Sequence, residues 1–272
     1  MSAVTVGLAV ALAAWGGRDG VAPPPAGVLR VTALDVGQGD ATLLQAGGST
    51  VLVDAGGPDG PVVRRLRRLG VRRIDVALAT HGSADHVGGL PAVIRALPVG
   101  IVLDGRDGDR SPVPGAIDPA AREKGVRVVP VRAGEAMRAG PIELRFLWPP
   151  PTPPLPGEDP NLRAVVARAS AYGASVLLTA DAESPVLDRI ALDPVDVLKV
   201  SHHGSADAGL PGVLERLRPR AAMIEVGRHN TYGHPAPSTL EALATVPEVL
   251  RTDEDGTVGI ELGSGAPRVV RP

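Results

Sequence analysis

Two stretches of this chain constrain its fold more than any others: RIDVALATH at 73–81 and VDVLKVSHHG at 195–204. Each is a short, nearly continuous apolar run, rich in Val, Ile and Leu, that ends in histidine. A strand apolar at successive positions needs both faces covered, as in a parallel sheet flanked by helices, whereas a strand with one wet face alternates. Each run therefore predicts a buried strand that delivers His81, or His202 and His203, to its C-terminal end.

The remaining pattern is organised around such strands. The runs at 28–36, 40–47 and 49–57 are short, rich in Val, Leu and Thr, and separated by glycine turns, which predicts consecutive strands paired as hairpins. A helix is predicted over 60–70, with Pro61 at its start, Val62, Val63, Leu66 and Leu69 at helical spacing and Gly70 as its stop. A helix at 89–97 and a strand at 99–103 follow. In the second half, 162–170 and 173–181 read as a strand pair and 220–227 as a further strand, with helices at 184–191, 210–217 and 237–244. LWPPPTPPLPGEDP at 147–160 reads as a proline-rich surface crossing between the two halves. Two β-then-α halves with helices outside predict an α/β protein, a four-layer αββα sandwich over 28–272.

Ahead of it, MSAVTVGLAVALAAWGG at 1–17 carries no charge, and APPPAG at 22–27 makes a stiff linker. The apolar stretch is at the short end of the roughly 17–25 residues that span a bilayer, and it lacks the basic start of a signal peptide. Membrane attachment or export is the expectation for 1–27, with a buried N-terminal helix as the alternative.

Composition removes several function classes. The net charge is −2, from 28 Lys+Arg against 30 Asp+Glu, so no bulk attraction draws the chain to a polyanion. Phe 1, Trp 2 and Tyr 2 leave little for base-stacking platforms, and the absence of cysteine excludes thiolate nucleophiles and Cys-ligated zinc. The arginines Arg64, Arg65, Arg67, Arg68, Arg72 and Arg73 occupy the polar side of the 60–70 helix and its exit, and read as a solvated face.

The chemistry sits at predicted strand ends and turns. DVGQGD at 35–40, Asp54, THGSADHVGG at 80–89, Asp181, the His202–His203 pair and HNTYGHP at 229–235 are the polar clusters, and they hold all 6 histidines of the chain. Singly, such residues read as satisfied core histidines or turn and cap aspartates. Gathered at one sheet edge, imidazole and carboxylate on converging short loops read as ligands for a divalent ion.

The motifs DVGQGDATLL, LVDAGG, THGSADHVGG, LLTADAES, LKVSHHGS and YGHP, in this order between 28 and 262, resemble the metallo-β-lactamase-like C-terminal domain of ComEC-type competence proteins. The resemblance implies an αββα metallohydrolase with its metal site between the sheets, hydrolysing DNA phosphodiesters during DNA uptake. It implies single-stranded DNA as substrate, a competence membrane domain or channel as partner, and a membrane-associated location on the extracytoplasmic side. The family pattern His-x-His-x-Asp-His falls on His81, Ser83, Asp85 and His86, so a poor hydroxyl ligand replaces the second histidine. Asp181 matches the bridging aspartate, and His203, with His202 the alternative, matches the last ligand. The implied outcome is one strong site of Asp85, His86, Asp181 and His203, a second site weak or absent around His81, and zinc or manganese as the ion.

Asp85 and His234 are the candidate catalytic residues, with a structural histidine before Pro235 as the alternative for His234. Asp54 is expected to orient the loop by accepting hydrogen bonds, and Asp40 and Gln38 to line the rim. Asn161 is what remains of an asparagine-rich stretch usual in this branch. Two other readings stay open: a non-catalytic interaction domain on the same fold, and a hydrolase of another phosphodiester.

Overall fold

The computed structural model describes residues 21–106 and 116–272; the expectations for the apolar 1–17 stretch lie outside the described residues. In chain order the first strands are β1 (Leu29–Ala33), β2 (Thr42–Ala46), β3 (Ser49–Val53), β4 (Ile74–Ala79), β5 (Val99–Asp104) and β6 (Arg127–Pro130). Then come β7 (Ala136–Ala139), β8 (Ile142–Trp148), β9 (Val166–Ala171), β10 (Ala174–Leu178), β11 (Val197–Lys199), β12 (Ala221–Ile224) and β13 (Glu248–Arg251), and finally β14 (Val258–Leu262) and β15 (Arg268–Val270). The helices are α1 (Val62–Arg68), α2 (Ala84–Val87), α3 (Leu90–Ala96), α4 (Ile117–Lys124), α5 (Ser184–Leu187), α6 (Leu210–Leu217), α7 (Pro237–Leu243) and α8 (Thr252–Asp255).

The strands form two sheets, ordered β15-β14-β1-β2-β3-β4-β5-β6 and β13-β12-β11-β10-β9-β8-β7. In the first, β1, β2 and β3 pair antiparallel as the hairpins expected, and β3 to β6 run parallel. In the second, β9 and β10 pair antiparallel and β10 to β13 run parallel. The parallel strands β4 and β11 are the two whose sequences read as continuous apolar runs. Their alternate residues enter different cores. Val76 and Leu78 of β4 join Val176, Leu178 and Met223 in the core between the sheets. Ala77 and Ala79 of the same strand pack with Leu66 of α1 and with Leu90, Val93 and Ile94 of α3. On the second sheet Leu177, Leu198 and Ala222 turn outward onto Val186 of α5, Val213 and Leu217 of α6, and Leu243 of α7. These three apolar cores separate four layers, αββα.

Two details differ from the sequence expectation. The proline-rich 147–160 segment does not cross between the halves: it joins β8 to β9, antiparallel neighbours in one sheet. The chain changes sheets between β6 and β7, where Val131 N donates to Asp104 O and Ala133 N to Pro149 O. Prolines cannot donate to a ladder, so 149–160 loops out of the sheet instead of extending it. The linker residues within the description rest on the first sheet, with Val21 against its outer core and Ala22 O accepting from Arg30 Nη1 at 2.7 Å.

Candidate metal centre

The parallel strands of both sheets end at the same edge, and a crevice outside the carboxyl ends of parallel strands is where α/β folds place ligands. Asp54 follows β3, Thr80 and His81 follow β4, and α2 carries Asp85 and His86. From the opposite sheet, Asp181 follows β10, His202 and His203 follow β11, and Glu225 follows β12. Asp54, Ala180, His202 and His203 hold left-handed backbone, φ between 48° and 58°, although none is glycine. Such strain persists only where its surroundings enforce it, and here it turns the chain sharply off each strand end.

Hydrogen bonds fix which edge of each imidazole faces the crevice. Asp54 accepts from Thr80 N at 2.9 Å and Thr80 Oγ1 at 2.6 Å, and its Oδ2 lies 2.9 Å from His86 Nδ1. His203 Nδ1 lies 2.9 Å from the Glu225 carbonyl oxygen. Both rings thereby present Nε2 to the centre. There His86 Nε2 is 3.0 Å from Asp181 Oδ1 and His203 Nε2 is 3.2 Å from Asp85 Oδ2. His81 Nε2 and His202 Nε2 each stand 3.7 Å from Asp181 Oδ2. His81 and His86 are wholly buried and their ring centroids are 4.3 Å apart. Despite the closeness of His86 to Asp181, His81 Nε2, His86 Nε2 and Asp181 Oδ1 are buried without a partner in hydrogen-bond geometry. Converging polar atoms left unpaired in the interior are costly unless something binds them. The donor set fits a divalent cation. One combination of donor atoms from Asp40, His86, Asp181 and His203 falls within 4.8 Å of one another.

Asp40 is where the structure departs most from the sequence reading, which put it at the rim. It is 3% exposed and lies behind the histidines, 3.1 Å from His203 Nδ1 and 3.6 Å from His86 Nδ1, with its other partner the ammonium of Lys199. Facing the Nδ1 edges of both histidines and held by a lysine, Asp40 is buried among the candidate ligands, with an oxygen within 4.8 Å of donor atoms of His86, Asp181 and His203. Gly39 permits this course. Its φ is 123°, and a Cβ there would meet Asp85 O at 1.9 Å, so the 35–41 loop passes directly against α2. Gln38 does border the crevice and accepts from Gly227 N at 3.1 Å.

Lys199 and Glu225 are the functional-site residues that sequence reasoning passed over. Both interrupt apolar runs, LKV and MIEV, and a lone charge inside a buried strand was the available signal. Glu225 is fully buried and accepts from Ala41 N at 3.1 Å and Thr42 Oγ1 at 2.9 Å, so it and the Asp40–Lys199 pair weld the two sheets behind the site.

The charges follow from these neighbours. Burial works against the Asp40 carboxylate, but Lys199, His86 and His203 outweigh it and lower its pKa to about 2. Burial likewise opposes the histidine cations, yet Asp181 and Asp40 hold His86 well above its ordinary value and Asp40 and Asp85 lift His203 to about 9. Burial, with the His86 charge beside it, pushes His81 down to about 4. Burial and the Asp40 charge push Glu225 up to about 8. His202 is different: its Nδ1 is tied to Glu183 at 3.0 Å, which raises its pKa, and its ring is a third exposed.

Around this floor opens a cavity of about 350 Å³ lined by Gln38, Ser83, Asp85, Asn161, Tyr232 and His234 among others. Ser83 reaches Asp85 Oδ1 at 2.5 Å and meets no other site carboxylate. His234 Nδ1 is buried without a partner, and burial with the charges of His202 and His203 lowers its pKa. His229, grouped by sequence with the others, is exposed and outside the cavity.

A two-sheet sandwich that gathers histidines and aspartates from the strand ends of both sheets has the architecture of a metallohydrolase. The chain belongs to the metallo-beta-lactamase superfamily, whose family model matches residues 34–228. It is 27% identical over 260 residues to ComE operon protein 3 of Bacillus subtilis, covering 84% of this chain and 32% of that protein. It is 28% identical over 250 residues to competence protein ComA of Neisseria gonorrhoeae, covering 89% of this chain and 33% of the other. The chain thus spans about a third of the length of these relatives. The fold is shared with the metallo-beta-lactamase fold protein YhfI of Bacillus subtilis, at a TM-score of 0.54 and 15% identity over 88% of this chain and 99% of that one.

Proposed function

We propose that this chain is a metal-dependent phosphodiesterase that cleaves single-stranded DNA in a DNA-uptake system. The observation that carries the reading is the convergence of unpartnered His81 Nε2, His86 Nε2 and Asp181 Oδ1, with Asp181 and His203 carrying this buried cluster to the wall of a cavity. His86, His203, Asp181 and Asp85 are the residues to hold one zinc or manganese ion, and His81 with Asp181 is an incomplete second set because Ser83 turns to Asp85. An ion held there supplies Lewis acidity toward a phosphoryl oxygen and acidifies water. Asp54 keeps His86 in the tautomer that points Nε2 inward. His234, its pKa lowered by burial and by the charges of His202 and His203, stands in the cavity wall to donate a hydrogen bond to a phosphate or leaving oxygen. The competence relatives support a DNA-uptake role; DNA as the substrate and a membrane channel as the partner are proposed from that role. The uncharged 1–17 stretch supports membrane attachment, and the extracytoplasmic side is proposed from the resemblance to competence proteins. Ser83 in place of a ligand favours one other reading, a domain that keeps the fold for interaction alone.

Elemental analysis of the purified full chain, beside a His86→Ala/Asp181→Ala variant, separates the two. About one equivalent of ion, lost in the variant, together with manganese-supported cleavage of labelled single-stranded DNA, is the expected result. No bound ion and no cleavage with either metal overturns the hydrolase.

A further inference from the structure

At the cavity mouth one side chain is out of character with the rest. Gln38, Ser83, Asp85, Asn161 and His234 are polar, suited to phosphate and sugar oxygens, whereas Tyr232 presents an aromatic ring that is 69% exposed. Its backbone is nevertheless fixed. Asn230 Nδ2 donates to Gly227 O at 2.8 Å and to His234 O at 2.7 Å, and its Oδ1 accepts from Tyr232 N at 3.2 Å and His234 N at 3.1 Å. This one asparagine staples the turn that carries both rings. The rings are also aligned: Tyr232 lies 6.0 Å from His234 at an interplanar angle of 30°, and His234 lies 6.5 Å from His203 at 30°. A file of roughly co-facing rings therefore runs from the metal-facing histidine to solvent, and its last member has an open face.

We infer that Tyr232 is the stacking platform for a nucleobase next to the scissile phosphate, which makes the substrate a base-bearing strand and not a bare phosphodiester. The inference rests on the phosphodiesterase reading and adds a specificity residue to it. Every base has a π-face, so a solvent-open aromatic on a stapled turn at a phosphate site selects nucleic acid without selecting sequence. The other rings lining the cavity are the imidazoles of His202, His203 and His234, which pack against one another, so among the described lining residues Tyr232 is the phenyl-type ring most open to solvent. Leu162, beside Asn161, is the other exposed apolar side chain nearby, and a leucine offers no ring to stack.

The test compares a thymidine oligomer with an abasic oligomer of equal length, phosphate number and label, using full-length protein with manganese. Wild type is expected to show a KM about 10-fold lower for the thymidine strand, within the range that stacking on one aromatic supplies. In Tyr232→Ala that ratio falls towards one, and in Tyr232→Phe it persists, because the ring and not the hydroxyl carries the contact. Absence of the ratio in wild type, or its persistence in Tyr232→Ala, overturns the inference while leaving the phosphodiesterase in place. If wild type cleaves neither strand the phosphodiesterase reading fails. Fluorescence anisotropy of the same two oligomers on the same three proteins then decides the stacking on binding alone, by the same ratio.

Discussion

Replacing Lys199 with methionine tests the charged seam behind the histidines. Lys199 and Asp40 are each 3% exposed and pair directly, and Glu225 beside them is fully buried. Methionine keeps most of the lysine volume, so little of the change is packing. What is lost is an attraction of at least about 4 kcal/mol, the value for unit charges at about 4 Å and an effective dielectric of about 20, since this pair is closer still. Removing one member of a buried pair strands the other, at about 3–5 kcal/mol. His203, 3.1 Å from Asp40 Oδ1, remains to offset part of this, so a loss of about 3 kcal/mol is expected. Urea denaturation of the metal-free protein in chelator reads it, as a midpoint lowered by about 1 M for a slope of about 3 kcal/mol/M. Asp40→Asn should lose a similar amount, and the double variant clearly less than the sum, because its second substitution removes the charge that the first had stranded. A loss below about 1 kcal/mol for Lys199→Met, or strict additivity in the double variant, would refute the reasoning.

Glu225, pushed up to about 8, binds its proton more tightly folded than unfolded, so its contribution to stability is fully present below about 4.5 and lost as pH rises through about 8. Glu225→Gln is expected to flatten the fall in stability of the chelated protein across that window, measured by thermal denaturation at a series of pH values; an unchanged profile contradicts the assignment. Ser83→His places an imidazole in the gap beside His81 and is expected to raise bound metal from about one equivalent towards two by elemental analysis, with one equivalent in both proteins as the contrary result.

Legibility tracked how local each signal was. The runs 73–81 and 195–204 announced β4 and β11 because parallel strands are apolar on both faces, and they brought His81, His202 and His203 to the correct edge. The 210–217 helix was read to the residue, since Leu210, Val213, Leu214 and Leu217 keep helical spacing. The stretch 104–146 was left unassigned, although Ile142, Leu144 and Phe146 alternate as a strand should and are buried in β8. What no local pattern carried was pairing across the molecule. Asp40 sits in a glycine turn, which reads as surface, and only the approach of β11 with Lys199 buries it. Tyr232 reads as a turn residue, and only the Asn230 staple sets it over the cavity.

The same cross-sheet pairing explains how the centre tolerates its own charge. Asp40, Asp54, Asp85 and Asp181 converge from both sheets, an arrangement that repels itself unless cations stand among them. Lys199 is one such cation, placed on the Nδ1 side of the histidines where it holds Asp40 without occupying the donor ring. His86 and His203, kept protonated by the surrounding carboxylates, are the others, and their Nε2 atoms are in the ring. The two kinds of cation therefore have different fates. His86 and His203 must give up protons before their Nε2 lone pairs can serve a metal, so loading is linked to proton release. Lys199 has nothing to give up, and with Glu225 on Ala41 and Thr42 it keeps the two sheets, and with them the donor geometry, in place whether or not the ring is filled.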